Sequence, residues 1–156
     1  MRLRVLAVGQ KMPDWVEQGI AEYSRRMPRE CRVDWVDIPL ARRGKGAAYL
    51  DRDKEGQAIL AKLAPDDYVV ALDVGGKDVT TEGIASKLQD WQMQGSRVAL
   101  LIGGPDGLAP DLLTAASESW SFGRVTLPHP LVRVILAEQL YRAWSITVGH
   151  PYHRGE

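Results

Sequence analysis

Apolar residues recur along this chain in two rhythms, one of short continuous runs and one at helical spacing. Residues 3–8 (LRVLAV) form a short apolar, β-branched run closed by Gly9, the pattern of a buried strand. Pro13 suits the first turn of a helix, and Val16, Ile20, Tyr23 and Met27 follow at helical spacing, so an amphipathic helix is expected to stop near Pro28. Residues 32–38 read as a second strand ended by Pro39. Residues 41–54 (ARRGKGAAYLDRDK) show little early periodicity, and a helix is expected only beyond them, through Ile59, Leu60 and Leu63. A third strand, 68–73 (YVVALD), is followed by a turn at Gly75-Gly76-Lys77. Ile84, Leu88 and Trp91 then mark one helical face, with Gly95 placed to end the helix. The most apolar strand, 97–102 (RVALLI), precedes a short helix starting at Pro110, a fifth strand over 120–127, and a long helical run, LVRVILAEQLYRAWSI. Strands alternating with helices predict a parallel α/β sheet covered on both faces.

The last helix is apolar over more than one face, since Leu131, Val134, Ile135, Leu136, Leu140, Tyr141, Trp144 and Ile146 do not share a single stripe. A helix of this kind has to be covered on several sides. The surplus face is therefore expected to meet a second subunit.

Three expected strand ends are rich in glycine: 72–76 (LDVGG), 102–107 (IGGPDG) and 121–127 (SFGRVTL). In parallel sheets ligands bind beyond the carboxyl ends of strands, and glycine lets a ligand approach the main chain closely. Tight strand-to-helix turns account for the same glycines equally well. Neither G-x-G-x-x-G nor G-x-x-x-x-G-K-[ST] occurs, which argues against a standard dinucleotide fold or a P-loop enzyme.

Composition narrows the field. At 156 residues with 45% hydrophobic content, residues 1–156 are expected to form a single domain. Twenty basic residues balance 20 acidic ones, so a polyanion must be met by local clusters rather than by a global field. Arg42, Arg43, Lys45, Arg52 and Lys54 are the best such cluster, with a solvated surface loop as the alternative. The apolar run near the N-terminus is too short for a signal peptide's core, and no stretch approaches the roughly 20 apolar residues of a membrane span. Cys31 is alone, so the cytosol is the default compartment, and His129, His150 and His153 have no recognised metal-ligand spacing; no metal is expected. The final His150-Pro151-Tyr152-His153-Arg154 combines groups able to stack on a base, move a proton and hold a phosphate, although a tail packed on its own domain would also use them.

Four segments together carry a family resemblance: 5–15 (VLAVGQKMPDW), 101–107 (LIGGPDG), 126–134 (TLPHPLVRV), and 140–147 (LYRAWSIT) with the HPYHR ending. In order and spacing they resemble the ribosomal RNA large-subunit methyltransferase H family, the minimal SPOUT methyltransferases, over residues 1–156. Departures are Asp106 in place of Glu, Phe122-Gly123-Arg124 in place of a small polar stretch, and Gly155 before the final Glu156.

The resemblance implies an α/β fold with a C-terminal trefoil knot, a homodimer, and methylation of N3 of a pseudouridine in large-subunit (23S) ribosomal RNA on the assembled ribosome. It also implies bent S-adenosylmethionine held near Leu72, Gly103, Gly104, Phe122, Gly123, Arg124, Val125, Thr126 and Leu127. Removing the imide proton requires a base, and carbonyl charge requires cations. His153 is the candidate base, with Glu138 as an alternative base or orienting partner. Arg133, Arg142 and Arg154 are the candidate cations, and Tyr152 is the stacking ring. Two rivals stay open here: a related methyltransferase acting on transfer RNA or another ribosomal nucleotide, and a non-catalytic ribosome-associated dimer that senses a nucleotide-like ligand.

Overall fold

A computed structural model describes residues 1–41 and 48–155 of the chain. Five strands, β1 (Arg2–Val8), β2 (Val33–Ile38), β3 (Tyr68–Asp78), β4 (Arg97–Ile102) and β5 (Glu118–Ser121), form one sheet in the order β2-β1-β4-β3-β5. Every pairing is parallel, as the alternation of strands and helices predicts. Four α-helices connect the strands, α1 (Asp14–Ser24), α2 (Ala48–Leu60), α3 (Thr81–Gln94) and α4 (Pro110–Ala115), and a longer one, α5 (His129–Thr147), follows β5.

Side-chain alternation along the strands sorts the core into two layers. Leu3, Val5, Ala7, Val70, Val98, Leu100 and Ile102 face α1, α3 and α5, while Leu6, Val8, Val69, Ala71, Ala99 and Leu101 face α2 and α4. The third helix has the end signals read from sequence: the Thr80 hydroxyl accepts the Gly83 N–H at 2.9 Å, and Gly95 closes the helix at φ 65°.

Three boundaries differ from the sequence reading. The second helix begins at Ala48 rather than beyond Lys54, so Arg52 and Lys54 are helical. Its inward face carries Asp51 and Glu55 as well as Ile59, which hides the helix from an apolar-periodicity argument; the Glu55 carboxylate accepts the Ala41 N–H at 3.0 Å. The third strand continues through Gly75-Gly76 to Asp78, because pairing with β5 resumes at Lys77 after an irregularity. The fifth strand ends at Ser121, not Leu127: Gly123 adopts φ 123°, and the Ser121 hydroxyl bonds both its N–H and its carbonyl, turning the chain off the edge. Arg42, Arg43 and Lys45 of the basic cluster lie outside the described residues.

The last helix lies between α1 and α3, and none of its residues is exposed. Part of the apolar surplus assigned above to a second subunit is thus covered within the chain. Among the described residues, no helix is long and apolar enough to cross a membrane.

Candidate active site

Because β3, β4 and β5 are parallel neighbours, the loops leaving them emerge side by side. They wall a cavity of about 600 Å³ whose floor and sides include Leu72, Asp73, Ile102, Trp120, Phe122, Thr126 and Leu127, with Pro128, His129 and Val132 from the start of α5. Gly103, Gly104, Gly123 and Val125 also line it. Arg124 alone of the expected cofactor set does not, and it is exposed. The volume suits a nucleoside-sized ligand, and apolar walls with a few convergent polar groups are what small-molecule sites share.

Gly103 and Gly104 call for a correction. A Cβ on Gly103 would lie 2.5 Å from the Gly107 carbonyl carbon, and one on Gly104 would lie 2.9 Å from Val8 Cγ1. The missing side chains therefore clear neighbouring protein atoms: the loop folds on itself, closed by Gly107 N–H to Gly104 O at 3.0 Å, and presses on β1. These glycines shape the wall without being openings in it.

Several lining residues were not singled out from sequence. Asp73 lines the cavity, and its carboxylate accepts the Gly75 N–H at 3.0 Å. Trp120 is buried and stacks on Trp91 with ring centroids 6.1 Å apart, and its Nε1–H donates to Glu118 at 2.5 Å. Glu118 also accepts from the Tyr68 hydroxyl and from Lys87 at 2.9 Å. Burial alone would raise the Glu118 pKa, but the three donors outweigh it and hold the carboxyl below its usual value. His129 has its pKa lowered, chiefly by burial and further by the Arg133 guanidinium, against an opposing pull from Glu55. Asp73 and His129 both stand inside quoted motifs; what a linear reading lacked was that the start of α5 returns to the edge where β3 and β4 end.

Arg133 is also corrected. Its side chain is among the largest fully buried ones, donating to Asp37 Oδ1 at 3.0 Å and to the carbonyls of Gly9, Val8 and Ala7 at 2.9, 3.1 and 3.3 Å. Such a guanidinium latches α5 to the end of β1, its two terminal nitrogens already engaged within the chain.

The tail forms a 3-10 turn, Pro151–Arg154, that folds back along α5. Tyr152 is buried against Tyr141 (centroids 4.6 Å apart) and Tyr23 (6.5 Å), and burial, with a hydrogen bond to Tyr23, pushes its pKa up to about 12. Arg142 lies 4.8 Å over the Tyr152 ring and donates to Glu138 at 2.6 Å. Glu138 thus holds Arg142 in place, its other oxygen accepting from Gln139 at 3.1 Å. His153 is half-buried, its Nδ1 lacking a partner among the described residues, and Arg154 is exposed. Tyr141 follows His129 by 12 residues, so Tyr152 sits about 18 Å along the helix axis from the cavity's end of α5. The structure brings Glu138, Arg142 and Tyr152 together, but it does not bring the tail to the cavity of its own chain. Among the described residues no group of three His, Cys, Asp or Glu side chains is placed to hold a metal ion.

An open parallel sheet with a loop-walled cavity at its carboxyl edge defines an α/β protein built to bind a small organic ligand. The family model described as "Predicted SPOUT methyltransferase" matches residues 1–153. "Ribosomal RNA large subunit methyltransferase H" of Hahella chejuensis is 52% identical over 155 residues, covering 99% of each chain. Its namesake from Chromohalobacter salexigens is also 52% identical over 155 residues, covering 99% of this chain and all of that one. In fold, the chain is similar to a methylase family protein from Neisseria gonorrhoeae, with a TM-score of 0.55 at 12% identity, covering 90% of this chain and 81% of that one. The chain belongs to the SPOUT methyltransferases and, within them, to the family of these large subunit methyltransferases H.

Proposed function

We propose that the protein transfers a methyl group from S-adenosylmethionine to N3 of a pseudouridine in large-subunit (23S) ribosomal RNA, in the cytoplasm, as a homodimer acting on the ribosome. The observation that carries this reading is the cavity at the carboxyl edge of β3, β4 and β5 in a chain 52% identical to proteins named for ribosomal RNA methylation. The residues present fit the cofactor. Leu72, Ile102, Trp120 and Val132 offer apolar walls to a purine, while Asp73 and His129 offer an acceptor and a ring nitrogen at the polar ends. When bound, S-adenosylmethionine supplies a methyl group activated by its sulfonium. The family's C-terminal trefoil knot belongs to the same proposal. Its support is that β5 lies at the sheet's outer edge whereas α5 lies between α1 and α3, so residues 122–128 carry the chain back from that edge.

The chain's own task is to hold the target base against the cavity and take its imide proton. His153 is the base in this reading. Arg154, exposed beside it, and Arg142, held by Glu138, supply positive charge, and Tyr152 anchors the tail as a rigid platform. Since tail and cavity of one chain stand about 18 Å apart along α5, the tail serves the cavity of the partner subunit. A homodimer makes two such sites by symmetry. Radiolabel transfer from S-adenosylmethionine to intact ribosomes, separated subunits and naked RNA tests the reading, with label expected in large-subunit RNA. Cofactor binding without transfer to any RNA would overturn it in favour of a ligand-sensing dimer.

A further inference from the structure

His129 stands where the cavity meets the first turn of α5, and its two ring nitrogens differ sharply in surroundings. Among the described residues Nδ1 is buried without a hydrogen-bond partner, and one helical turn on, Arg133 Nε is also buried without one. A buried N–H with no acceptor is the rarer and costlier of the two ways to leave a nitrogen unpaired. Burial and the positive charge of the Arg133 guanidinium disfavour a second proton on this ring, which leaves one N–H to place. The ring proton therefore belongs on Nε2. That atom is not buried, has no partner among the described residues, and belongs to a ring that lines the cavity.

An N–H donor in this place faces a particular kind of group. It stands at the start of a 19-residue helix, where the helix dipole is positive, and the Arg133 charge lies behind it. The carboxylate of Glu55 opposes that charge from the α2 side, where it is engaged with the Ala41 N–H. Asp73, the cavity's own acid, comes from the end of β3 and suits hydroxyl or ammonium donors instead.

We infer that His129 is a cofactor-binding residue that, as a neutral imidazole protonated on Nε2, donates to the amino-acid carboxylate of an S-adenosyl ligand. The inference rests on the reading of the cavity as an S-adenosylmethionine site and adds which residue recognises the anionic end.

The test is calorimetric and uses the full chain with two ligands, S-adenosylhomocysteine and 5′-methylthioadenosine, which lacks the amino-acid carboxylate. Wild type is expected to bind both. His129→Ala should weaken S-adenosylhomocysteine by about tenfold or more, the size of a charge-assisted hydrogen bond, and methylthioadenosine by about twofold at most. His129→Gln, which keeps an N–H donor, should recover most of the loss. Equal weakening of both ligands, or of neither, overturns the role of His129 while leaving the cavity's identity intact. Failure of the wild type to bind S-adenosylhomocysteine overturns the cavity reading and the inference together. Long-range 15N–1H correlation of the wild-type His129 ring is independent of any variant's folding: a proton on Nε2 supports the inference, and a proton on Nδ1 overturns it.

Discussion

Replacing Arg133 with methionine should destabilise the protein by about 3 kcal/mol, and the size follows from what each guanidinium nitrogen does. The bond to Asp37 contributes least, because that carboxylate is half exposed and returns to water when the arginine is removed. Arg133 NH2 reaches three carbonyls, those of Gly9, Val8 and Ala7 at 2.9, 3.1 and 3.3 Å, with only two hydrogens, so the shorter two count as full bonds. Two buried bonds from a charged donor are worth roughly 1.5–3 kcal/mol each. Relief from burying the charge offsets part of that sum. Methionine fills much of the volume and makes no cavity on the scale of alanine, which keeps the packing contribution small. The assay is urea unfolding at matched protein concentration with an unchanged m-value. A loss below about 1 kcal/mol would refute the latch argument. Full stability combined with abolished methyl transfer would instead return Arg133 to the catalytic set.

Gly104→Val should lower stability as well as ligand binding, by about 2 kcal/mol or more, because its Cβ meets Val8 Cγ1 at 2.9 Å; differential scanning fluorimetry reads this, and an unchanged midpoint would contradict it. Glu118→Gln should cost stability at neutral pH, and the gap should narrow on acidification. The folded Glu118 pKa is depressed, so its contribution is complete above the ordinary value of 4.5 and is lost as pH falls through the folded value; urea midpoints of both proteins across acid pH check the sign. Mixing a cavity-filled Val132→Trp variant with a chain lacking residues 150–156 should restore about a quarter of wild-type methyl transfer, since half the dimers are mixed and each has one complete site. No recovery after verified subunit exchange would show that the tail works in its own chain.

How much was legible in the sequence depended on whether neighbours in space were neighbours in the chain. The fourth strand, with its uninterrupted RVALLI, and the third helix, with Thr80 and Gly95 at its ends, carry their signals locally. So do the strand-end loops, which is why most of the expected cofactor residues line one cavity. The first turns of the second helix escaped because its buried face there includes Asp51 and Glu55, and acids have no place in an apolar-periodicity argument. The end of the fifth strand was misplaced because the β-branched pair Val125 and Thr126 followed by Leu127 reads as extended, whereas Gly123 at φ 123° had already turned the chain. Arg133 looked like a substrate cation for the same reason that any motif arginine does: charge is visible in a sequence and its burial is not. Only the return of α5 to the ends of β1 and β2 shows that its donors are already engaged.

Under the proposed function, that return also explains how so small a chain would divide two tasks. The start of α5 closes the cavity through Pro128, His129 and Val132, and its later turns hold the tail through Glu138, Tyr141 and Arg142. One rigid helix therefore sets the distance between ligand cavity and tail, and at about 18 Å between their anchoring residues a single chain cannot close the gap by side-chain motion. Apposing two such helices in opposite sense brings each tail toward the other chain's cavity without any added domain. The parts of α5 that remain half-buried in one chain, Leu131, Val134, Ile135, Trp144 and Ile146, run along its length and are the apolar surface such an apposition would cover. In this arrangement assembly is a precondition for chemistry, and a substitution that separates the subunits would abolish methyl transfer while leaving each cavity able to bind its ligand.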